Sequence, residues 1–471
     1  MIEYTDERSR ILATKPVGRL LLQFATPSII AMAASSIYNL CDSIFIGQGV
    51  NSMAIAGLAI TFPVMNISHA FGAMIGVGGG AQTAVAMGEA NQRRALVIFG
   101  NVIRLDITIG LLLCIFGLWF LEPILRLFGA SDVTLPYAYD YMQIILIGCI
   151  ISHAMLGMND QMRSTGHPKM AMTCQLIAVV ANILLDALFI FGFGWGMRGA
   201  ALATVLGQLI AFVVEIRFFL NKGNFVHFSR EGLILRLDII RDIISIGLSP
   251  FFMNVCGCIV VMLINRDLLQ QGGVNGDAYV GVYGIVNRVA TVVFMMVMGI
   301  GQGMGPIVGF NLGARLFHRV TGVLKVAYAC ATLIMTFGYL VMAVFAETVA
   351  GFFTRDPLMI QLCVPAIRIM MCMFPLVGGQ MITSTFFQSI RQAKKSIFLS
   401  TTRQMLFLVP FLLFLPDFFV AQGWEGVNGV WASLPFSDFI ASLIAGILLY
   451  AQVRRFNHLT EVSKGVKIDT K

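Results

Sequence analysis

Long apolar runs alternate with short polar breaks along this chain, and the runs show no two-residue alternation. Crossing a bilayer takes about 20 consecutive apolar helical residues. Twelve stretches qualify: 20–46, 53–76, 95–121, 137–158, 170–191 and 199–219, then 239–264, 278–301, 320–344, 358–386, 397–415 and 427–450. Each is too long and too evenly apolar for a barrel strand of about 10 alternating residues. The pattern predicts an all-α integral membrane protein with twelve transmembrane helices. The longest polar break, 221–238, falls midway. It divides the chain into a polar tail (1–19), a six-span lobe (20–220), a linker (221–238), a second six-span lobe (239–452) and a second tail (453–471).

The two halves resemble each other. Gly88 and Gly313, Arg94 and Arg319, and Lys169 and Lys394 are each 225 residues apart; Pro27 and Pro250 stand 223 apart and Gly199 and Gly429 stand 230 apart. Because six is even, the copies share an orientation and are related by a pseudo-twofold axis along the membrane normal, a plan found among secondary transporters. Charge gives the orientation. The tails and the even-to-odd breaks hold most of the basic residues, among them Arg93 and Arg94, Arg163 and Lys169, Arg230, Arg236 and Arg241, Lys394 and Lys395, and Arg454 and Arg455. The opposite breaks hold Arg126, Arg198, Arg266 and Arg355, and Arg104, Arg288 and Arg368 fall inside spans. Basic loops stay cytoplasmic, so both termini are expected there.

Composition agrees. Of 471 residues, 58% are apolar and 12% charged, too few charges to clothe a soluble body of this size. The net charge of +8 is accounted for by the basic cytoplasmic loops, and no nucleic-acid partner is expected. The nine cysteines lie in or beside apolar runs and read as reduced, small hydrophobes. The polar N-terminal 19 residues contain no apolar core of a cleaved signal peptide. No G-x-x-x-x-G-K-[ST] loop occurs, so no ATPase is built in, and energy is expected from an ion gradient. The cluster Gly76, Gly78, Gly79 and Gly80 reads as a close helix contact.

Polar groups inside the spans are the candidate chemistry, since hydrocarbon rejects them by roughly 2.5–3.5 kcal/mol per acid. Asp42 lies five residues before Gly47, and Asp186 six residues before Gly192. Both therefore sit roughly 8–9 Å below the same membrane face at about 1.5 Å per residue. Asn182 is one turn from Asp186, and Thr204 has similar depth. Two carboxylates, an amide oxygen and a hydroxyl suit a hard cation with oxygen ligands. They suit equally a proton held between two acids that cannot both ionise cheaply. The bland alternative is that these groups only pair with one another. Asp106 and Asp438 read as structural acids, Asp438 with Arg288 or Arg368 as its partner, and His69 and His153 read as hydrogen-bonded core residues.

At these positions the chain resembles the MATE family of multidrug and toxic compound extrusion transporters. The resemblance is carried by Pro27, Tyr38-Asn-Leu-Cys-Asp42-Ser-Ile-Phe-Ile-Gly47, Arg163-Ser-Thr-Gly166-His-Pro-Lys169 and Asn182-Ile-Leu-Leu-Asp186-Ala-Leu-Phe-Ile-Phe-Gly192. Gly196-Met-Arg-Gly199-Ala-Ala-Leu-Ala-Thr204 and Gly426-Val-Asn-Gly429-Val-Trp-Ala-Ser-Leu-Pro435-Phe-Ser-Asp438 extend it. It implies two six-helix lobes set in a V and export of drug-like, often cationic and amphipathic solutes in exchange for Na+ or H+ by alternating access. No cofactor is implied. It further implies an ion-coupling site at Asp42, Asn182, Asp186 and Thr204 (metal-ligating if the ion is Na+), solute contacts at Tyr38, Tyr141 and Asn159, and a hinge at Pro27. Some relatives have a second acidic site in the C-terminal lobe. Here span 7 offers Asn265, Arg266 and Asp267, and span 10 only Gln380, so coupling is expected in the first lobe. The expected setting is a bacterial inner membrane, with lipid around a monomer.

Two other readings compete. A lipid-precursor flippase of the same general fold would need a more basic central cavity. An intramembrane aspartyl protease could use Asp42 and Asp186 as a dyad, but the half-chain repeat would have no role in it.

Overall fold

The computed structural model describes residues 7–465 and is nearly all helix. Eleven helices are long and apolar enough to cross a membrane, and a bent pair makes the twelfth span. Spans 1–6 are Val17–Gly49, Met53–Gly88, Gln92–Trp119, Leu135–Ser164, Pro168–Gly192 and Gly196–Leu220. Spans 7–12 are Leu237–Gln271, Gly273–Gly313, Phe317–Val344, Pro357–Met370 with Phe374–Ser389, Ala393–Ala421 and Gly426–Val462. The fold is the expected one: all-helical, twelve spans, two six-helix lobes.

Differences from the sequence pattern have local causes. Span 10 bends by 54° at residues 371–373. Pro375 stands at the second position of the following segment; lacking an N–H it cannot donate back to Met371 O, and its ring crowds that carbonyl. The polar first tail forms a helix, Glu7–Thr14, because Leu12 is buried and Arg319 donates to the carbonyls of Leu12 and Lys15 at 3.1 and 2.7 Å. Span 12 continues into the second tail as one helix to Gly465, and Phe456 stacks on Phe317 at 5.6 Å. Both tails therefore dock at the break between spans 8 and 9, which puts the termini on one face. The linker docks on span 3, where Asn101 Nδ2 donates to Ile234 O at 2.9 Å.

The repeat is visible in backbone geometry. Ala90 and Arg315 have φ of 55° and 59°, and Gly166 and Arg391 have 87° and 61°; each pair is 225 residues apart. Three of these four residues carry a side chain in the left-handed region, which is costly without glycine. The turn is thus imposed by the lobe around it. Short helices Leu121–Leu127 and Ala346–Phe353 also begin 225 apart, each just after the third span of its lobe.

The lobes meet on the face that carries the termini, and glycines make the meeting possible. A Cβ on Gly88 would strike the Phe310 carbonyl, and one on Gly313 would strike that of Val85. Gly309 lies on Ala84. Val85 and Phe310 are again 225 apart, as are Ala84 and Gly309, so the contact is isologous about the pseudo-twofold axis. Gly78 packs on Ile243, Gly303 on Ala25, Gly247 on Met74 and Gly299 on Ile29. All of these positions lie in the halves of spans 1, 2, 7 and 8 nearest the termini. The glycine cluster of span 2 is the close contact its composition predicted, since small residues let backbones approach where hydrocarbon gives no hydrophobic drive.

Gly78→Leu forces spans 2 and 7 apart on this face. Pulsed dipolar spectroscopy between spin labels at Arg93 and Lys325, one per lobe, should show a longer mean distance than in the parent. An unchanged distance distribution would contradict this account of the seam.

Candidate functional site

The first cluster is built by spans 1, 4, 5 and 6. Span 6 opens with small residues, and Gly207 rests on span 5: a Cβ there would lie 2.8 Å from Ala178 O and 3.1 Å from Asn182 N. That approach puts Thr204 beside Asn182, whose amide donates to the threonine hydroxyl at 3.2 Å. Tyr38 and Tyr141 are both neighbours of Thr204, and Tyr141 also neighbours Asp42. Asp186 neighbours Asn182 and feels the Asp42 charge. The structure thus brings Asp42, Asn182, Asp186, Thr204, Tyr38 and Tyr141 together. Asp186 ends the α-helical part of span 5, and Ala187–Gly192 continues as a π-helix, a local widening frequent at functional sites.

The acids of this cluster are short of hydrogen bonds. Asp42 and Asp186 are 4% and 0% exposed. Asp42 Oδ1, Asn182 Oδ1 and both Asp186 oxygens are buried without a hydrogen-bond partner. Groups that only held helices together would have used up these oxygens on one another. Four oxygens converging without hydrogen-bond partners form a ready set of ligands for a small cation or a proton.

Asn159 lies elsewhere. It is 3% exposed, donates to Ala171 O and Glu215 Oε1 at 3.0 Å each, and accepts from Arg163 at 2.9 Å. Arg163 in turn pairs with Asp160. Sequence reasoning missed this chain of groups. Its signal was Glu215, an acid near the end of span 6 with an amide opposite. Asp106 departs from expectation too: it is fully buried, lies against Gly157 and has neither oxygen hydrogen-bonded. His153 does meet core carbonyls, with its ring nitrogens 2.6 Å from Cys149 O and 2.9 Å from Ser68 O. Pro27 sits inside the unbroken helix of span 1.

Between the lobes lie two adjoining cavities. One of about 600 Å³ reaches from Phe62 and Asn66 of span 2 to Tyr283, Phe294 and Asp438 of the second lobe. The other, about 200 Å³, lies nearer the seam and is lined by Asp160, Arg163 and Gln380 among others. Met253, Met298, Met381, Arg403 and Gln404 line both.

Asp438 corrects the sequence reading. Its partner is Arg403, whose Nε donates to Oδ1 at 2.6 Å, rather than Arg288 or Arg368. Arg288 is exposed, and Arg368 donates to Ala343 O at 3.2 Å. Arg403 stands several residues into the apolar run of span 11, beyond the basic break at Lys394 and Lys395. It belongs to a π-helical segment, Thr402–Leu408, and its own carbonyl accepts from Ser437 Oγ at 2.5 Å.

Two substitutions test this geometry. Asp438→Asn leaves a half-buried guanidinium short of its acceptor and should lower stability by about 1–3 kcal/mol. Adding Arg403→Gln should recover part of that loss, and thermal unfolding reads both. Gly207→Val should separate spans 5 and 6, break the Asn182–Thr204 bond and lower the melting temperature by a similar free energy. Parent-like melting would show that the contact does not hold the cluster.

The MatE family model matches residues 27–188 and 246–413, one segment in each lobe. A FAD transporter of Shewanella oneidensis is 26% identical over 469 residues, covering 98% of both chains. The multidrug export protein MepA of Staphylococcus saprophyticus is 23% identical over 447 residues, covering 94% of this chain and 96% of its own. A crystal structure of a MATE protein in a bent conformation superposes with a TM-score of 0.89 at 24% identity, over 98% of this chain and all of that one. With both six-span repeats matched by one family model and the whole fold shared, the chain belongs to the MatE family and is a membrane transporter, not an enzyme.

Proposed function

We propose that this transporter exports amphipathic, drug-like organic solutes in exchange for Na+ or H+, the lobes rocking about their glycine seam to expose the cleft alternately to each side. The observation that carries the reading is the set of buried, unpartnered oxygens on Asp42, Asn182 and Asp186. Asp42 and Asp186 bind the coupling ion, while Asn182 and Thr204 complete its oxygen shell if it is Na+. Tyr38 and Tyr141 join that site to the solute path through Thr204. Asn159 reaches the cleft through Arg163, which lines it. Pro27, lacking a backbone donor in mid-helix, lets span 1 bend when the site changes occupancy.

The names of the relatives, a multidrug export protein and a FAD transporter, support organic solutes. The family resemblance favours cationic, amphipathic drugs, and six methionines give the cleft a wall that can repack around many shapes. The basic face carrying the termini is assigned to the cytoplasm, and the bacterial relatives point to an inner membrane. One chain supplies both lobes and the whole cleft, so it works as a monomer surrounded by lipid. No nucleic acid and no cofactor enter the cycle.

Efflux from proteoliposomes under separately imposed Na+ and proton gradients identifies the ion. Asp42→Asn and Asp186→Asn should each abolish gradient-driven efflux at near-normal expression. Robust efflux by either variant would remove that residue from the coupling site.

A further inference from the structure

Two charged side chains line the larger cavity, Arg403 and Asp438. Asp438 is 4% exposed, and of the two side chains that of Arg403 is the more accessible, at 23% against 5%. Only Nε of Arg403 is used by the acid. In the smaller cavity Asp160 is likewise already paired, to Arg163. The acids are thus neutralised from within the protein, while guanidinium N–H groups remain on the open side. An arginine fork of this kind matches the two oxygens of a carboxylate or phosphate.

The surroundings add an aromatic wall. Arg403 Cζ lies 5.5 Å from the Phe294 ring centroid, and Phe294 packs on Phe374 at 5.1 Å. Both rings line the larger cavity with Arg403. The Gln404 side chain lines both cavities beside Arg403. A volume of about 600 Å³ lies within the roughly 300–1,000 Å³ of small-molecule sites.

We propose that the cleft has a second specificity, for planar aromatic solutes bearing a carboxylate or phosphate, with Arg403 as the anion-binding residue and Phe294 as the stacking surface. Asp438 and Ser437 hold Arg403 in place from span 12, one through Nε and the other through the backbone carbonyl. Asp438, though part of the same wall, is a positioning residue that acts by holding the guanidinium. The inference rests on the reading that solutes occupy the interlobe cleft, and it concerns binding rather than ion coupling.

The test is equilibrium binding to purified protein in detergent with no ion gradient, using two dyes with the same xanthene ring system. Carboxyfluorescein is anionic and rhodamine 6G is cationic. The parent should bind carboxyfluorescein. The double variant Arg403→Gln/Asp438→Asn, which removes both charges and leaves no unpaired ion, should bind it at least tenfold more weakly. Arg403→Lys keeps the charge without the fork and should fall between. Thermal unfolding confirms that each variant is folded. Rhodamine 6G affinity should change less than threefold in the double variant. Carboxyfluorescein binding that is absent in the parent, or equal in parent and double variant, would overturn the proposal. A matching loss for both dyes would also overturn it, since that marks collapse of the cavity. Because no gradient is applied, failure of the Asp42 and Asp186 coupling assignment leaves these readings interpretable.

Discussion

Hydrocarbon offers no water to a polar atom, so every oxygen and nitrogen carried into the bilayer must find its partner in the protein. That constraint makes the chain helical, because a helix satisfies its own backbone. It also determines how the side chains are used. In the second lobe the serines keep the rule with hydroxyls alone: Ser249 and Ser400 are 2.7 Å apart, and Ser396 and Ser384 extend the chain at 2.8 and 2.9 Å. The one acid deep in that lobe, Asp438, has a guanidinium. In the first lobe buried oxygens are left without partners at Asp42, Asn182 and Asp186 together, and separately at Asp106, Gln161 and Glu215; the second lobe has its own exceptions at Asn265 and Gln404. The unpaired oxygens gathered at Asp42, Asn182 and Asp186 have a natural reading as ligands waiting for a positive charge.

A transporter must also separate its lobes without leaving large apolar faces to collapse or aggregate. The seam meets this with backbone against backbone. Glycines at 78, 88, 247, 303 and 313 let helices touch over short patches where attraction comes from close van der Waals packing and not from expelled water. Such contacts are lost steeply with small separations, which favours a seam that is either closed or released over half-open arrangements. The pseudo-twofold pairing of Gly88 on Phe310 with Gly313 on Val85 means that one rotation releases both contacts at once.

Much of this was legible in the sequence because the dominant signals are long-range in the chain but simple in kind. Span count follows from apolar length. The repeat follows from a constant offset, and the structure returns the same 225 in dihedral angles at Ala90 and Arg315. The convergence of Asp42 and Asp186 follows from helix rise, because both lie a countable distance from a span end. Other features depend on which faces meet, and no one-dimensional pattern carries that. Arg403 stands in the apolar run beyond Lys394 and Lys395, and its pairing with Asp438 depends on spans 11 and 12 packing side by side. Asn159 looked available to solute because of its position at a span end. Its engagement by Glu215 and Arg163 required knowing that span 6 lies behind it. The bend in span 10 was signalled by Pro375, but apolar length alone hid it.

The two lobes began from one repeat and now treat charge in opposite ways. Asp42 has Asn265 as its counterpart in span 7, and span 10 supplies Gln380, which donates to Leu399 O at 3.2 Å. Neutral amides stand where a second ion site would need acids, Gln380 hydrogen-bonded and Asn265 with its amide oxygen unpartnered. If both lobes bound the ion, each turnover would have to neutralise two buried clusters before the seam could move. On the proposed coupling at Asp42 and Asp186, one occupancy change in the first lobe would suffice to bias the rotation, and the second lobe would be free to present its Arg403–Asp438 ion pair and aromatic walls to a solute in the cleft. On that proposal coupling and recognition fall to different lobes, with the glycine seam carrying the energy from one to the other.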